Sequence, residues 1–174
     1  MKTFRIETER LLITQFDENM VESVRRNSLD EDIRKFVPDE VFETIEEARD
    51  TIRFLMQCYD GNTGPFVYPV LLKNNENIGY VQAVPLEENC WEVGYSIAKN
   101  HTCHGYATEA LSAFIPVIMK HLNISKIWGV CRRDNIASMK VLEKCFFVLQ
   151  EKMIMNYHGN EHEVCKYLYS ANVS

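Results

Sequence analysis

Apolar residues recur along the chain with two different spacings, and the change from one to the other marks out the elements. Residues 10–16, Arg10-Leu11-Leu12-Ile13-Thr14-Gln15-Phe16, form a short apolar run and predict a strand. Asp17 stands where it can cap a following helix that carries Met20, Val21 and Val24. Thr44 and Glu47 have capping-box spacing, and Ile45, Ala48, Ile52, Leu55, Met56 and Tyr59 then recur at helical intervals. Gly61 and the pair Gly64-Pro65 end that helix. Strands are predicted at residues 66–72, 78–84 and 91–97, joined by turns at Asn74-Asn75-Glu76-Asn77 and Glu87-Glu88-Asn89, so the centre of the chain reads as an antiparallel meander.

Helical spacing returns at residues 106–121, where Ala107, Ala110, Leu111, Phe114, Ile115, Ile118 and Leu122 share one face. Pro116 removes a rung from that helix and predicts a bend. A strand at 126–131 and a helix at 136–145 follow, then strands at 147–157 and 164–169 around a turn at His158-Gly159-Asn160. This order predicts a mixed α/β fold, a largely antiparallel central sheet with helices on both faces. At 174 residues, with no linker, repeat or low-complexity tract, residues 1–174 read as a single domain.

Composition narrows the class. Hydrophobic residues make up 46% and charged residues 25%, the balance of an ordinary globular protein. No apolar run approaches the roughly 20 residues of a membrane span. The opening MKTFRIETERLL has no apolar core with a cleavage site, so the expected location is the cytoplasm, with no membrane partner. The six cysteines form no C-x-x-C pair and read as reduced thiols. A net charge of −6 argues against a nucleic-acid partner. The acid is concentrated: residues 17–50 hold 12 acidic and 5 basic side chains. That segment is either a solvated face or an acidic rim that attracts a cationic substrate.

The candidate chemistry sits between residues 91 and 110. A strand ends near Ile97, and the loop His101-Thr102-Cys103-His104-Gly105 leads straight into a helix. Amides at such a junction point outward with the positive end of the helix dipole behind them, an anion site suited to phosphates. Gly105 lets the backbone approach a ligand closely.

The run E-V-G-Y-S-I followed by H-G-Y-A-T-E-A resembles the GNAT superfamily of N-acetyltransferases, in the branch of the RimJ/RimL ribosomal-protein acetyltransferases. The pyrophosphate-loop pattern R/Q-x-x-G-x-G/A falls on Thr102, Cys103, His104, Gly105, Tyr106 and Ala107. Gly105 and Ala107 match it, Thr102 replaces the usual Arg or Gln, and Cys103 stands where glycine is common. A second match runs from Asn135 to Phe147, against N-x-x-S-x-x-v-L-e-K-x-G-F, with Phe146 in place of the glycine. The similarity extends from Thr8-Glu9-Arg10-Leu11 to the closing hairpin.

The resemblance implies acetyl-CoA as co-substrate, no metal, direct attack by an amine in a ternary complex, and a homodimer as found among relatives. It also implies that pantetheine pairs with the strand backbone at Ser96 and Ile97, that Asn135 touches the cofactor, and that Ser138 lies near the sulfur. Many relatives carry a tyrosine acid where this chain has Leu142, which leaves Ser138 or water to protonate the thiolate, or the thiolate to depart unaided.

Glu92 is the candidate base. Strand alternation puts it on one face with Gly94 and Ser96, and Gly94 predicts room for a ligand. The alternative is a solvated strand glutamate. Asn135 and Ser138 are also explained by helix capping alone. His101, Cys103 and His104 imitate a metal site but lack a suitably spaced fourth ligand. Cys103 reads as a loop residue, because direct transfer needs no covalent enzyme. Phe36, Phe42, Tyr59 and Phe66 are candidates for an acceptor pocket or for the core. The acceptor is expected to be a peptide N-terminus or a small cationic amine. The competing expectation is a CoA-binding sensor or interaction module, suggested by Thr102, Cys103 and Phe146.

Overall fold

The computed structural model describes residues 4–87 and 89–172. Glu88, assigned to a turn above, lies outside the described residues, as do residues 1–3 and 173–174. Strands β1 (Ile6–Glu7) and β2 (Leu11–Ile13) open the chain. Helices α1 (Val21–Ser28), α2 (Glu31–Phe36) and α3 (Ile45–Cys58) follow. The central strands are β3 (Phe66–Leu72), β4 (Asn77–Pro85) and β5 (Trp91–Ile97). Helix α4 (Tyr106–Leu122), strand β6 (Lys126–Arg132), helix α5 (Ile136–Lys144) and strands β7 (Val148–Tyr157) and β8 (Asn160–Ser170) complete the chain.

The eight strands form one sheet in the order β1-β2-β3-β4-β5-β6-β8-β7. Every neighbouring pair is antiparallel except β5 and β6, the pair joined through α4. Strand alternation divides the side chains between two cores. On one face α4 lays Ala110, Leu111, Phe114, Ile115 and Ile118 against Phe66, Tyr68, Val70, Ile78 and Val81. Phe114 is fully buried there, and truncating it to alanine would cost about 3–5 kcal/mol. On the other face Val21 of α1 and Ala48, Ile52 and Leu55 of α3 pack on Phe16 and Val67. The sheet therefore carries helices on both faces, as its sequence predicts.

Local signals account for most boundaries. Thr44 and Glu47 form the capping box, each side chain bonding the other's backbone. Asp17 caps a 3-10 turn at Glu18–Met20 rather than α1 directly. Pro116 lies within α4, which runs on through it to Leu122. Helix α2 and the two-residue β1 are not among the predicted elements. α2 is capped by Asp30, which accepts from the amides of Asp32 and Ile33. It buries Ile33 alone, too few apolar positions to show a period.

Candidate active site

β5 and β6 are paired at only two positions, Glu92 with Trp128 and Val93 with Gly129. Beyond Val93 they diverge, although β5 continues to Ile97 and β6 to Arg132. The amide of Ala98 donates to the carbonyl of Ile78 on β4 at 2.7 Å. Backbone groups alternate sides along a strand, so those of Ser96 also face β4, and those of Tyr95 and Ile97 face the gap. Ser96 thus turns its side chain, not its backbone, to the cavity described below, whereas Ile97 offers backbone groups to the gap.

After β5 comes the loop. The amide and hydroxyl of Thr102 both turn back onto the carbonyl of Lys99, at 3.3 and 2.8 Å. Its amide is therefore occupied. The amides of Cys103, His104, Gly105, Tyr106, Ala107 and Thr108 have no acceptor among the described residues. Cys103 at φ +64° and Gly105 at φ +79° place left-handed residues on either side of His104. Successive amides in such a turn converge into an anion-binding concavity, and the start of α4 adds its dipole.

The loop is held from outside. Glu109, in the first turn of α4, accepts from the Thr8 hydroxyl at 2.6 Å, the Arg10 amide at 3.1 Å and Arg10 Nε at 2.6 Å. Arg10 also donates to the carbonyl of His104 at 2.9 Å and lies 4.5 Å from the Tyr106 ring centroid. A side chain at position 105 would meet Arg10 Nη2 at 3.5 Å. His104 Nδ1 lies 2.7 Å from the Thr102 carbonyl, and its ring stacks on Tyr106.

A cavity of about 600 Å³ reaches the gap from the side of α1–α3. Glu92, Gly94 and Ser96 of β5 line it, with Tyr80 and Gln82 of β4 and Glu40 from the 3-10 turn at Pro38–Glu40. Cys131, Asn135 and Ser138 line it at the α5 end. Burial pushes the Glu92 carboxyl up to about 7, with Lys166 pulling weakly the other way. Glu92 takes no hydrogen bond from the described residues, and no side-chain oxygen or nitrogen among them is both buried and without a partner. A half-buried carboxyl that titrates near neutrality and opens into a cleft is suited to accepting a proton.

The profile of the acetyltransferase (GNAT) domain family matches residues 10–148. The chain belongs to the GNAT acetyltransferase family. YnaD of Bacillus subtilis, an uncharacterized N-acetyltransferase, is 30% identical over 141 residues, 80% of this chain and 79% of that one. Among solved structures, a GNAT-family acetyltransferase from Bacillus anthracis superposes with a TM-score of 0.82 at 24% identity, covering 96% of this chain and 98% of that one. RimL, the ribosomal L7/L12 alpha-N-protein acetyltransferase solved with coenzyme A, superposes with a TM-score of 0.85 at 20% identity, covering 98% and 100%. At such identities these two structures speak for the fold.

In this GNAT enzyme the residues singled out from the sequence fall into two groups. Glu92, Ser96, Asn135 and Ser138 share the cavity, while Cys103, His104 and Gly105 lie in the loop and Tyr106 and Ala107 begin α4. Asn135 caps α5 by accepting from the Ser138 amide at 3.2 Å. The Ser138 hydroxyl lies 2.7 Å from the Tyr95 phenol, which also donates to the Ser138 carbonyl at 2.9 Å. Phe36 and Phe42 line the cavity, while Phe66 is core and Tyr59 ties Val67 to Phe16. Two expectations are corrected. Ser96, expected to pair its backbone with pantetheine, turns that backbone to β4. The space above Gly94 belongs to Gln82, whose side-chain amide would stand 2.5 Å from any β-carbon there.

Sequence reasoning missed Tyr95, Arg10 and Glu40. Tyr95 alternates with core residues and reads as packing. Arg10 falls inside the resembling Thr8-Glu9-Arg10-Leu11 with no role attached to it. Glu40 lies in the acidic segment, where nothing local sets it apart from its eleven acidic neighbours.

Proposed function

We infer that this GNAT enzyme moves an acetyl group from acetyl-CoA to a primary amine by direct attack in a ternary complex. The observation that carries the reading is the run of uncommitted amides from Cys103 to Thr108, placed beside the gap between β5 and β6. Acetyl-CoA supplies the thioester and its leaving thiol. The amides and the start of α4 fit its diphosphate. The backbone of Tyr95 and Ile97 fits an extended amide-bearing arm, as one more strand edge would. RimL, a structural neighbour with the same fold, has been solved with coenzyme A.

Glu92 acts as base, taking the amine proton directly or through water. An α-amine has a pKa of about 8, so a carboxylate poised near 7 suffices for it. Ser138, oriented by Tyr95, stands at the other side of the gap to hydrogen-bond the departing sulfur. Tyr95 itself is half-buried, and the burial of its phenol raises its pKa and keeps its proton in place. Its role is to position Ser138.

Mixing the protein with acetyl-CoA and a panel of primary amines, while free thiol is followed, tests the reading. Thiol release that depends on the amine supports it. No release with any amine, despite calorimetric binding of CoA, would overturn it.

A further inference from the structure

The charged side chains that line the cavity are Asp39, Glu40, Glu92, Arg132 and His158. Three of the five, Arg132, His158 and Asp39, already have a partner in contact. Arg132 is gripped by Asp134, at 2.9 and 2.6 Å. His158 pairs with Asp39. Glu40 and Glu92 have no ion-pair partner within contact among the described residues. Glu40 takes hydrogen bonds only from neutral groups, the Tyr80 phenol and, at 3.4 Å, the Gln82 amide. Burial and the nearby Asp39 push its carboxyl up to about 7. Tyr157 lines the same cavity, and its pKa is raised first by burial and then by carboxylates that include Glu92 and Glu40.

Two carboxylates drawn out of water with no ion-pair partner in contact, and only Lys166 acting on Glu92 from further off, favour a ligand that brings two positive charges. Gln82, beside Glu40, stands over Gly94 on the strand that carries Glu92, and Phe16, Val24, Ile33, Phe36 and Phe42 give the cavity an apolar wall. The end near Glu40 is also stitched to the β6–β8 side. Asp39 meets His158, Arg132 donates to the Lys35 carbonyl at 3.1 Å, and the Arg132 guanidinium lies 5.2 Å from the Phe36 ring centroid. Such closure fits a small molecule that enters whole.

We propose that Glu40 is the specificity residue for the acceptor, and that the acceptor is a small amine with a second positively charged group across a short apolar spacer. Glu92 receives the reacting amine, and Glu40 holds the other cation with Tyr80 and Gln82 orienting its carboxylate. This deepens the acetyl-transfer reading and rests on it for the direction in which the acceptor lies.

The test compares straight α,ω-diamines of three to six carbons with monoamines of the same length. Calorimetry on the parent chain and on Glu40→Gln reads binding without turnover. The parent is expected to bind the best diamine roughly tenfold or more above its monoamine, the scale of one charge-assisted hydrogen bond, and Glu40→Gln to erase most of that ratio. With acetyl-CoA present, the kcat/KM ratio should follow the same pattern, whatever the variant's absolute rate. Equal binding of diamine and monoamine by the parent overturns the proposal. So does a ratio that Glu40→Gln leaves unchanged while its melting temperature is no lower than the parent's. Loss of thiol release with the binding ratio intact would instead refute the transfer reading and leave the dication site standing.

Discussion

Arg10 reaches across 99 residues of chain to clamp Glu109, and through it the first turn of the helix that follows the loop at residues 102–105. The guanidinium meets one carboxylate oxygen through both Nε and Nη2, each at 2.6 Å, and spends Nη1 on the His104 carbonyl. The arginine thus fixes the loop from behind, where Thr102 offers no cation from in front. The ordering of the amides is set by a segment remote in sequence.

Arg10→Met should weaken CoA binding by roughly tenfold, the worth of a charge-assisted hydrogen bond to a partly buried carboxylate. KM for the amine should stay within about twofold, since the clamp lies behind the loop and away from the cavity. Calorimetry with CoA and initial rates with a saturating amine check the two halves. An equal loss in both would show that the variant disturbs the fold as a whole.

The pH dependence follows from burial at Glu92 and Glu40. With both carboxyls at about 7, kcat/KM should climb as pH rises through neutrality and Glu92 becomes a carboxylate. Glu92→Gln should lower kcat by roughly a hundredfold and remove that limb, while Glu40→Gln should keep it. The same groups set a stability trend. Each binds its proton more tightly in the folded chain than at its ordinary value of 4.5, so ionising them between pH 4.5 and about 7 works against the fold. Melting curves should place Glu92→Gln level with the parent at pH 5 and above it at pH 8.

Tyr95 and Ser138 should behave as one unit. Tyr95→Phe and Ser138→Ala are each expected to lower kcat by roughly tenfold, and the double variant by little more than either. Additive losses in a double-mutant cycle would show that the phenol acts on the reaction independently of the serine. Because Tyr95 is half-buried against core residues, phenylalanine keeps its packing and isolates the hydroxyl.

Much of the fold is legible because it repeats. The three central strands and α4 carry long runs at one spacing, and their predicted bounds fall within about two residues of those observed. α2 has no such run and escapes prediction, although Asp30 and the acidic first turn mark its start. The site is legible where one residue type has one use. Glu92 stands out as a carboxylate on the face opposite the core, and Gly105 as a glycine at a strand–helix junction. Glu40 does not, because its position is set by a 3-10 turn and by tertiary contacts to Tyr80 and Gln82. Gly94 misleads for the same reason, since only the register of β4 against β5 reveals that Gln82 fills its place.

Phe146 shows what a departure from the family pattern does. It ends α5 at φ +66°, with its amide on the Glu143 carbonyl and that of Phe147 on the Leu142 carbonyl, at 3.1 and 3.0 Å. That arrangement favours glycine at the first of the two positions. The Phe146 side chain is 81% exposed, so little packing offsets the backbone strain. Phe146→Gly should therefore stabilise the protein by about 1 kcal/mol, a rise of roughly 2–4 °C in Tm for a chain of this size. Thermal unfolding measures it, and a fall in Tm would mean that the exposed ring contributes more than its surroundings suggest.

With only two rungs between β5 and β6, the protein is nearly two lobes sewn along a short seam. One lobe runs from the amino-terminal strands through β5, and the other holds β6–β8, with α4 as the bridge that spans both. The seam is also the place where the gap opens. Whatever bonds the bare edges of Tyr95 and Ile97 must therefore lengthen the stitching, and the act of binding becomes, in part, an act of fastening the enzyme to itself.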